Sequence, residues 1–351
     1  MSIVLNSRFL TQPITGVQRY GIEIARELKK IDTNIIFVAP KNILHRELSN
    51  ELGVREIGIL NSHLWEQIEL PVYLKTISSP LLVNLGNSAP LLYHNKIVAI
   101  HDIAYKIYPE SFSNRFRLFY NIMIPHLLRY SKSIVSVSEF SKKEITERFT
   151  LNNGSINVVY NAVSDQFRPC KSINNEKYIL AVSSLNMQKN FHSLVKAFNK
   201  LNDKNVKLYL VGSFNKSFSD IDLTDDIFLN NNIVFKGRVD DNELISLYSN
   251  AICFVFPSYY EGFGIPPIEA QSCGCPVLAS NTASMPEVCR NSVLYFDPYN
   301  INDIAEKISL ILKDSQLRED LISKGFDNCR RFSWKKSAEN IYSIINEIHY
   351  D

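Results

Sequence analysis

Apolar residues recur along this chain in two alternating patterns. Short runs rich in Ile, Val, Leu and Phe occur at Ser2 to Leu5, Asn34 to Ala39, Leu81 to Leu85, Ile97 to Ile100, Ser133 to Ser138 and Ile156 to Tyr160. They resume at Tyr178 to Ser183, Lys207 to Val211, Ile233 to Lys236, Ile252 to Phe256 and Val293 to Phe296. Most lack the apolar/polar alternation of a half-exposed strand, so they predict strands covered on both faces, as in parallel sheets flanked by helices. Between them lie stretches with apolar residues three and four positions apart. Val17, Tyr20, Ile24, Leu28 and Ile31 predict one buried helical stripe. Leu64 to Leu74, Asp240 to Tyr248, Asn302 to Lys313, Gln316 to Arg331 and a last segment from Phe332 to near His349 predict further helices. The fold class is α/β, with two doubly wound parallel sheets. A polar stretch from Asn161 through Pro169 to Glu176 divides them into domains 1–165 and 166–333, with a terminal helix at 334–351.

The stretch from Ala251 to Val288 carries the most chemistry. Pro257 ends a buried strand, Glu261-Gly262-Phe263-Gly264-Ile265 forms a loop, and Pro266-Pro267 opens a helix that contains Glu269 and stops near Gly274. A strand that delivers a glycine loop to a helix start offers backbone N–H groups and the positive end of a helix dipole to an anion. The two carboxylates are eight positions apart, Glu261 in the loop beside the anion site and Glu269 within the first helical turns, and both are candidates to accept hydrogen bonds from ligand hydroxyls.

Other strand-to-helix junctions repeat the arrangement. Thr15-Gly16-Val17-Gln18 predicts a capping box, which puts Gly16 at a helix start beyond the first strand. His101-Asp102 follows a buried strand and so falls on the ligand-binding edge of a parallel sheet, where Asp102 would orient the ring or cap the turn. Lys189 lies between a strand and a helix, where an ammonium meets a diphosphate as a point charge. Gly237-Arg238 ends another strand and makes Arg238 a further phosphate candidate. From Ser111 to Lys132 basic and aromatic residues interleave, as suits a helix lying on anionic lipid.

Composition narrows the classes. The chain has 351 residues, 45% hydrophobic and 21% charged, enough for two cored domains without disordered bias. Net charge is +2; residues 1–165 carry 18 Lys+Arg against 14 Asp+Glu, a mild basic bias suited to an anionic surface or a pyrophosphate-bearing acceptor. Nothing here reads as nucleic-acid binding. The six cysteines include no Cys-x-x-Cys pair and read as reduced core thiols of a cytoplasmic protein. There is no signal-peptide pattern and no apolar run near 18 residues. Metal-ligand spacing is absent unless Asp220-Ile221-Asp222 is stretched to one, so no metal is expected.

The order Glu261-Gly-Phe-Gly-Ile-Pro-Pro-Ile-Glu269, followed by Pro286-Glu287-Val288, resembles the donor-site signature of glycosyltransferase family 4. Thr15-Gly16, Trp65-Glu66-Gln67, His101-Asp102, Val137 to Ser141 and Lys189-Asn190 recur in the family's order, so the resemblance spans nearly the whole chain. It implies a GT-B fold, two Rossmann-like domains facing across a cleft, with the terminal helix packing back on the first. It further implies a retaining, metal-independent transferase with no cofactor, the nucleotide-sugar being its substrate. In that picture Glu269 holds the ribose, Gly262 to Ile265 meet sugar and phosphate, Lys189 meets the diphosphate, and Arg238 lies near the base. The Gly16 loop faces donor and acceptor, and His101 and Glu261 contact the transferred sugar. Ser184 departs from the family, many members having arginine there; Arg8, Arg19 and Arg238 are the candidates to replace that charge. The narrower likeness is to bacterial enzymes of O-antigen or capsule synthesis, some using GDP-mannose. It implies a lipid-linked glycan acceptor and a peripheral position on the inner face of the cytoplasmic membrane. The alternatives are a nucleotide-sugar epimerase of the same fold and a non-catalytic sugar-nucleotide-binding partner.

Overall fold

The computed structural model describes residues 2–170, 176–184, 186–212 and 230–350, so Leu185 and Asp220-Ile221-Asp222 lie outside the described residues. The chain divides into two compact units, one of Met1–Lys106, Ser113–Asn161 and Ser333–Asp351, the other of Ile107–Phe112 and Ala162–Phe332.

The first unit holds seven strands, β1 (Ile3–Asn6), β2 (Ile36–Ala39), β3 (Arg55–Glu56), β4 (Leu81–Asn84), β5 (Lys96–Ala99), β6 (Ser133–Ser136) and β7 (Ile156–Val158). All pair in parallel in the order β3-β2-β1-β4-β5-β6-β7. Every residue of β1, β4 and β5 is buried, which explains their apolar runs, broken only at the strand ends by Asn6, Asn84 and Lys96. The edge strand β3 had no apolar signal to find, since both its side chains are exposed. The helix Arg46–Leu52, closed by Gly53 at φ +69°, is too short for a visible stripe.

Helix Gly16–Ile31 starts as its sequence predicts, with Gln18 Oε1 accepting from the Thr15 backbone N–H at 3.2 Å. Its buried face keeps Tyr20, Ile24 and Leu28 of the expected stripe and widens to Gly21, Ile22 and Ala25, while Val17 is half-buried and Ile31 exposed. Helix Trp334–Tyr350 packs on it within the same unit. The Trp334 ring lies edge-on to Tyr20 at 5.9 Å, and Ser337 Oγ donates to Tyr160 O at 2.7 Å.

The second unit holds β8 (Tyr178–Val182), β9 (Lys207–Val211), β10 (Ile233–Gly237), β11 (Cys253–Phe256), β12 (Val277–Ser280) and β13 (Leu294–Phe296), again all parallel, in the order β10-β9-β8-β11-β12-β13. Phe191, Leu194, Val195 and Phe198 of helix Phe191–Leu201 pack with Leu208, Leu210, Val255 and Leu278 of the sheet and with Ile304 and Ile308 of helix Ile301–Lys313. The short segment Ile107–Phe112 joins this unit rather than the first; there Tyr108 stacks on Tyr259 at 6.3 Å. Of the cysteines, Cys253, Cys273, Cys275 and Cys289 are buried, Cys329 half-buried and Cys170 exposed, so Cys170 is not the core thiol expected.

Candidate functional site

In each sheet one pair of adjacent strands sends the chain away in opposite directions. These topological switch points lie between β1 and β4 and between β8 and β11. The loops leaving the carboxyl ends of such strands border an uncovered crevice, where open α/β sheets bind ligands.

At the β8/β11 switch point two loops are clamped together. Asn186 caps the turn Met187–Lys189, accepting from Lys189 N at 3.3 Å. Asn190 follows in the left-handed region, φ +57°, which asparagine tolerates better than most residues. Its buried amide donates to Pro257 O at 3.0 Å and Pro298 O at 2.9 Å. Tyr259 N donates to Gln188 O at 2.8 Å. Across this junction the Lys189 ammonium meets Glu261 Oε1 at 2.6 Å, with both side chains about 15% exposed or less. Two of the expected site residues, 72 positions apart, are thus brought into one ion pair.

The glycine loop is held from one side by hydroxyls at the end of β12 and in the segment after it. Ser280 Oγ donates to Ser258 O at 2.7 Å, Thr282 Oγ1 to Tyr259 O at 3.0 Å, and Ser284 Oγ to both Glu261 O at 2.9 Å and Phe263 O at 3.0 Å. In a trans peptide the N–H points opposite to the preceding carbonyl, so this ladder turns the amides of Gly262 and Gly264 to the other side. Gly264 has φ +85°, and a Cβ there would lie 2.3 Å from Met285 Cε. We expect Gly264→Ala to destabilise the fold by about 2–4 kcal/mol through strain and overpacking. Denaturant titration measures this, and an unchanged midpoint would contradict it.

Helix Ile265–Ser272 begins next. Pro266 and Pro267 have no N–H, so this helix start is poorer in donors than a strand-loop-helix pattern implies, and Ile265 and the loop amides supply them. Phe263 contributes only backbone to such a role, because its ring is buried edge-on against Phe332 at 5.3 Å. Glu269 is buried on the helix, its carboxylate 3.5 Å from Tyr248 Oη. Arg238 follows β10 at the sheet edge, two strands from β8 and so about 10 Å to the side. Ser184 is exposed just beyond β8.

The first unit has its own polar cluster at the β1/β4 switch point. Arg8, directly beyond β1, places Nε 3.1 Å from Glu66 Oε1 and donates from Nη2 to Ser88 Oγ at 2.7 Å. Asn6 and Ser88 donate to the same Glu66 oxygen at 2.9 and 3.1 Å, and His63 Nδ1 lies 3.3 Å from the other. Burial raises the Glu66 carboxyl, but the Arg8 charge and the hydrogen bonds from His63 and Ser88 outweigh it and hold it below the usual carboxylate range. Arg8 is therefore already neutralised within its own unit and is not a free cation to replace the arginine missing at Ser184.

His101 lies beyond β5, buried, with Tyr20 edge-on at 4.8 Å. Its Nε2 faces Leu85 O at 2.9 Å. A carbonyl only accepts, so Nε2 carries the proton and Nδ1 the lone pair. The Leu85 carbonyl fixes this orientation, while Asp102 accepts from Ala104 N at 2.9 Å and caps the turn. Burial lowers the ring to about 4, leaving His101 neutral near pH 7. Because its folded value is depressed, the unfolded chain takes up the proton first as pH falls. We therefore expect up to about 3 kcal/mol of stability to be lost between pH 6.5 and 4 from this group. A His101→Gln variant should show a shallower fall in melting temperature from pH 6.5 to 5, and an identical slope would refute the assignment. Gly16 stands exposed at the start of its helix.

Sequence reasoning named Asn190 and Glu66 only as motif residues and Arg8 only as a candidate cation, and it missed the Asn190 clamp, the Arg8–Glu66 pairing and the hydroxyl ladder. The last has a recognisable signal, Ser280-x-Thr282-x-Ser284, with hydroxyls at every second position from the last residue of a buried strand. Among the described residues no group of three or more His, Cys, Asp or Glu side chains is arranged to hold a metal ion. No helix among them is long and apolar enough to cross a membrane.

Residues 163–327, which contain this second-unit site, match the family described as glycosyl transferases group 1. Along its length the chain is similar to the O-antigen chain mannosyltransferase RfbU of Salmonella typhimurium, 28% identical with 98% of this chain and 99% of that protein covered. It is 26% identical to O-antigen chain mannosyltransferase B of Escherichia coli over 98% and 100%. Two solved structures share its fold. The glycosyltransferase from Rickettsia africae has a TM-score of 0.76 at 21% identity, covering 99% of this chain and 98% of its own. Anabaena HepE, in complex with UDP-glucose, has a TM-score of 0.80 at 18% identity, covering 99% and 100%. The fold is GT-B.

Proposed function

We propose that this chain, whose residues 163–327 match the glycosyl transferases group 1 family, moves a hexose from a nucleotide-sugar to a sugar hydroxyl of a lipid-linked oligosaccharide. The reaction retains anomeric configuration, uses no metal and serves bacterial surface polysaccharide synthesis, with a GDP-mannose-like donor first among the candidates. The observation that carries this reading is the second-unit switch point, where Lys189 and Glu261 meet beside a glycine loop whose Glu261 and Phe263 carbonyls are held by Ser284. The similarity to two O-antigen chain mannosyltransferases supports the acceptor class.

The diphosphate binds Lys189 and the Gly262 to Ile265 amides, which stabilise the charge that grows on it as the sugar leaves. Glu261 accepts hydrogen bonds from sugar hydroxyls and Glu269 from the ribose. Neutral His101 offers its Nδ1 lone pair to a hydroxyl of the transferred sugar. As the anomeric C–O bond to phosphate breaks, the acceptor oxygen bonds to the same face and its proton passes to the departing phosphate oxygen. No side-chain base is required, and orientation supplies much of the acceleration.

A membrane-surface position has its own support. Leu64, Ile68 and Val72, four residues apart within Ser62–Thr76, are joined by Leu118 and Ile122 of helix Asn114–Tyr130; all five are 52–65% exposed. The His63 and Phe119 rings, 4.5 Å apart, hold the two segments side by side, and Arg115 and Arg117 flank the apolar residues. Exposed apolar side chains with arginines close by in sequence suit the surface of an anionic bilayer. Ile68→Asp with Leu118→Asp should cut co-sedimentation with phosphatidylglycerol vesicles by about tenfold or more, leaving the melting temperature unchanged.

Thermal shift with UDP, GDP, dTDP and ADP tests the donor site, since a ligand at a hundredfold excess over its dissociation constant adds about 2.7 kcal/mol of stability. One responding nucleotide names the donor class, and product that appears only with a lipid-linked acceptor establishes transfer. Failure of all four to bind would sink the reading.

A further inference from the structure

The ion pair at the second switch point places two donor-binding groups on one another. We infer that Glu261 is the resident counter-ion of Lys189 and is displaced from it by phosphate, so that the site favours a nucleotide-sugar over the free nucleoside diphosphate. The inference rests on the proposed donor site and adds a discrimination that the separate roles of the two residues do not contain.

Three observations carry it. The contact is short, 2.6 Å, and each partner keeps about 15% exposure or less, so the pair is partly desolvated yet open to a ligand. The loops that bear the two residues do not depend on it. Asn190 joins them through Pro257 O, Tyr259 N bonds Gln188 O, and Ser284 holds the carbonyls of Glu261 and Phe263. Breaking the pair therefore leaves both loops in place. Finally, the pair spans the carboxyl ends of β8 and β11, the crevice in which such sheets bind ligands.

The chemistry then differs between the two ligands. A diphosphate takes the Lys189 ammonium and leaves the Glu261 carboxylate beside an anion, stripped of its cation. A nucleotide-sugar does the same but brings hydroxyl donors just beyond its β-phosphate, and these satisfy the released carboxylate. After transfer the sugar is gone, and Glu261 competes again for Lys189, which speeds departure of the nucleoside diphosphate.

Isothermal titration of wild type, Glu261→Gln, Glu261→Asp and Lys189→Ala with GDP, UDP, GDP-mannose and UDP-glucose tests this. For the nucleotide that binds, Glu261→Gln should tighten the free diphosphate about tenfold while leaving the nucleotide-sugar unchanged or weaker. Glu261→Asp, one methylene shorter and still charged, should fall between, and it covers the case in which Glu261→Gln melts early by circular dichroism. Lys189→Ala should weaken both ligands. Unchanged or weaker diphosphate binding in both Glu261 variants, with Lys189→Ala also weakened, overturns the exchange while leaving the donor site standing. Wild-type diphosphate binding in Lys189→Ala, or no nucleotide binding in the wild type, overturns the donor site and the exchange with it.

Discussion

Lys189→Ala is expected to lower kcat/KM for hexosyl transfer by roughly 10²–10³-fold, the scale on which removal of one preorganised charge-stabilising donor acts. Lys189 is set on a turn capped by Asn186 and fixed by Asn190, so its ammonium is positioned before the donor arrives. The leaving diphosphate gains negative charge as the glycosidic bond breaks, and a contact that strengthens along that path acts mainly on kcat. Lys189→Arg retains the charge but not the compact point geometry and should recover only part of the rate. A steady-state assay with the responding nucleotide-sugar measures both variants. A loss of less than threefold in Lys189→Ala would show that another group carries the diphosphate.

Glu66→Ala is expected to destabilise the protein by about 3–5 kcal/mol, the cost of leaving a buried charge without its partner. Arg8 and Glu66 are both buried, and the carboxylate also accepts from Asn6 and Ser88. Removing it strands the guanidinium and two neutral donors together. Replacing both charges by apolar residues, Arg8→Met with Glu66→Leu, should be much less damaging than either single change. Urea denaturation of the four proteins of this cycle gives the coupling directly, and additive effects would refute it. The pH dependence has a definite sign. Glu66 is held below the usual carboxylate range, so its contribution is complete above that range and is lost as pH falls through the depressed folded value.

The two units repeat one arrangement. In each a cation sits just beyond the first strand of its sheet, Arg8 after β1 and Lys189 after β8. Each is met at the switch point by a glutamate from a distant segment. The first pair is enclosed in a network of four further polar side chains. The second has no such enclosure among its described contacts and is the one placed to exchange partners.

Several features were legible in the residues alone because they depend on neighbours in sequence. Unbroken apolar runs announced strands buried on both faces, and Thr15 with Gln18 announced a helix start. Glycine and proline around Glu261 marked a strand, a loop and a helix, and the order of motifs pointed to the family. Local patterns of this kind arise from backbone geometry and capping, which act over a few residues. The helix Gly16–Ile31 shows their limit: its stripe was read from Val17 to Ile31, but the buried face also takes in Gly21, which lies against the Phe9 ring where a Cβ would not fit, and leaves Ile31 exposed. What only the tertiary structure decided is which charges meet. Lys189 and Glu261 are 72 positions apart, Arg8 and Glu66 58, and Ser284 reaches back over 23 to Glu261. The contacts to Glu261 exist because parallel pairing sets the ends of β8, β11 and β12 side by side, and the Arg8–Glu66 contact because the helical segment bearing Glu66 packs through Trp65 on Val4 of β1; associations of that range leave no periodic trace in the chain.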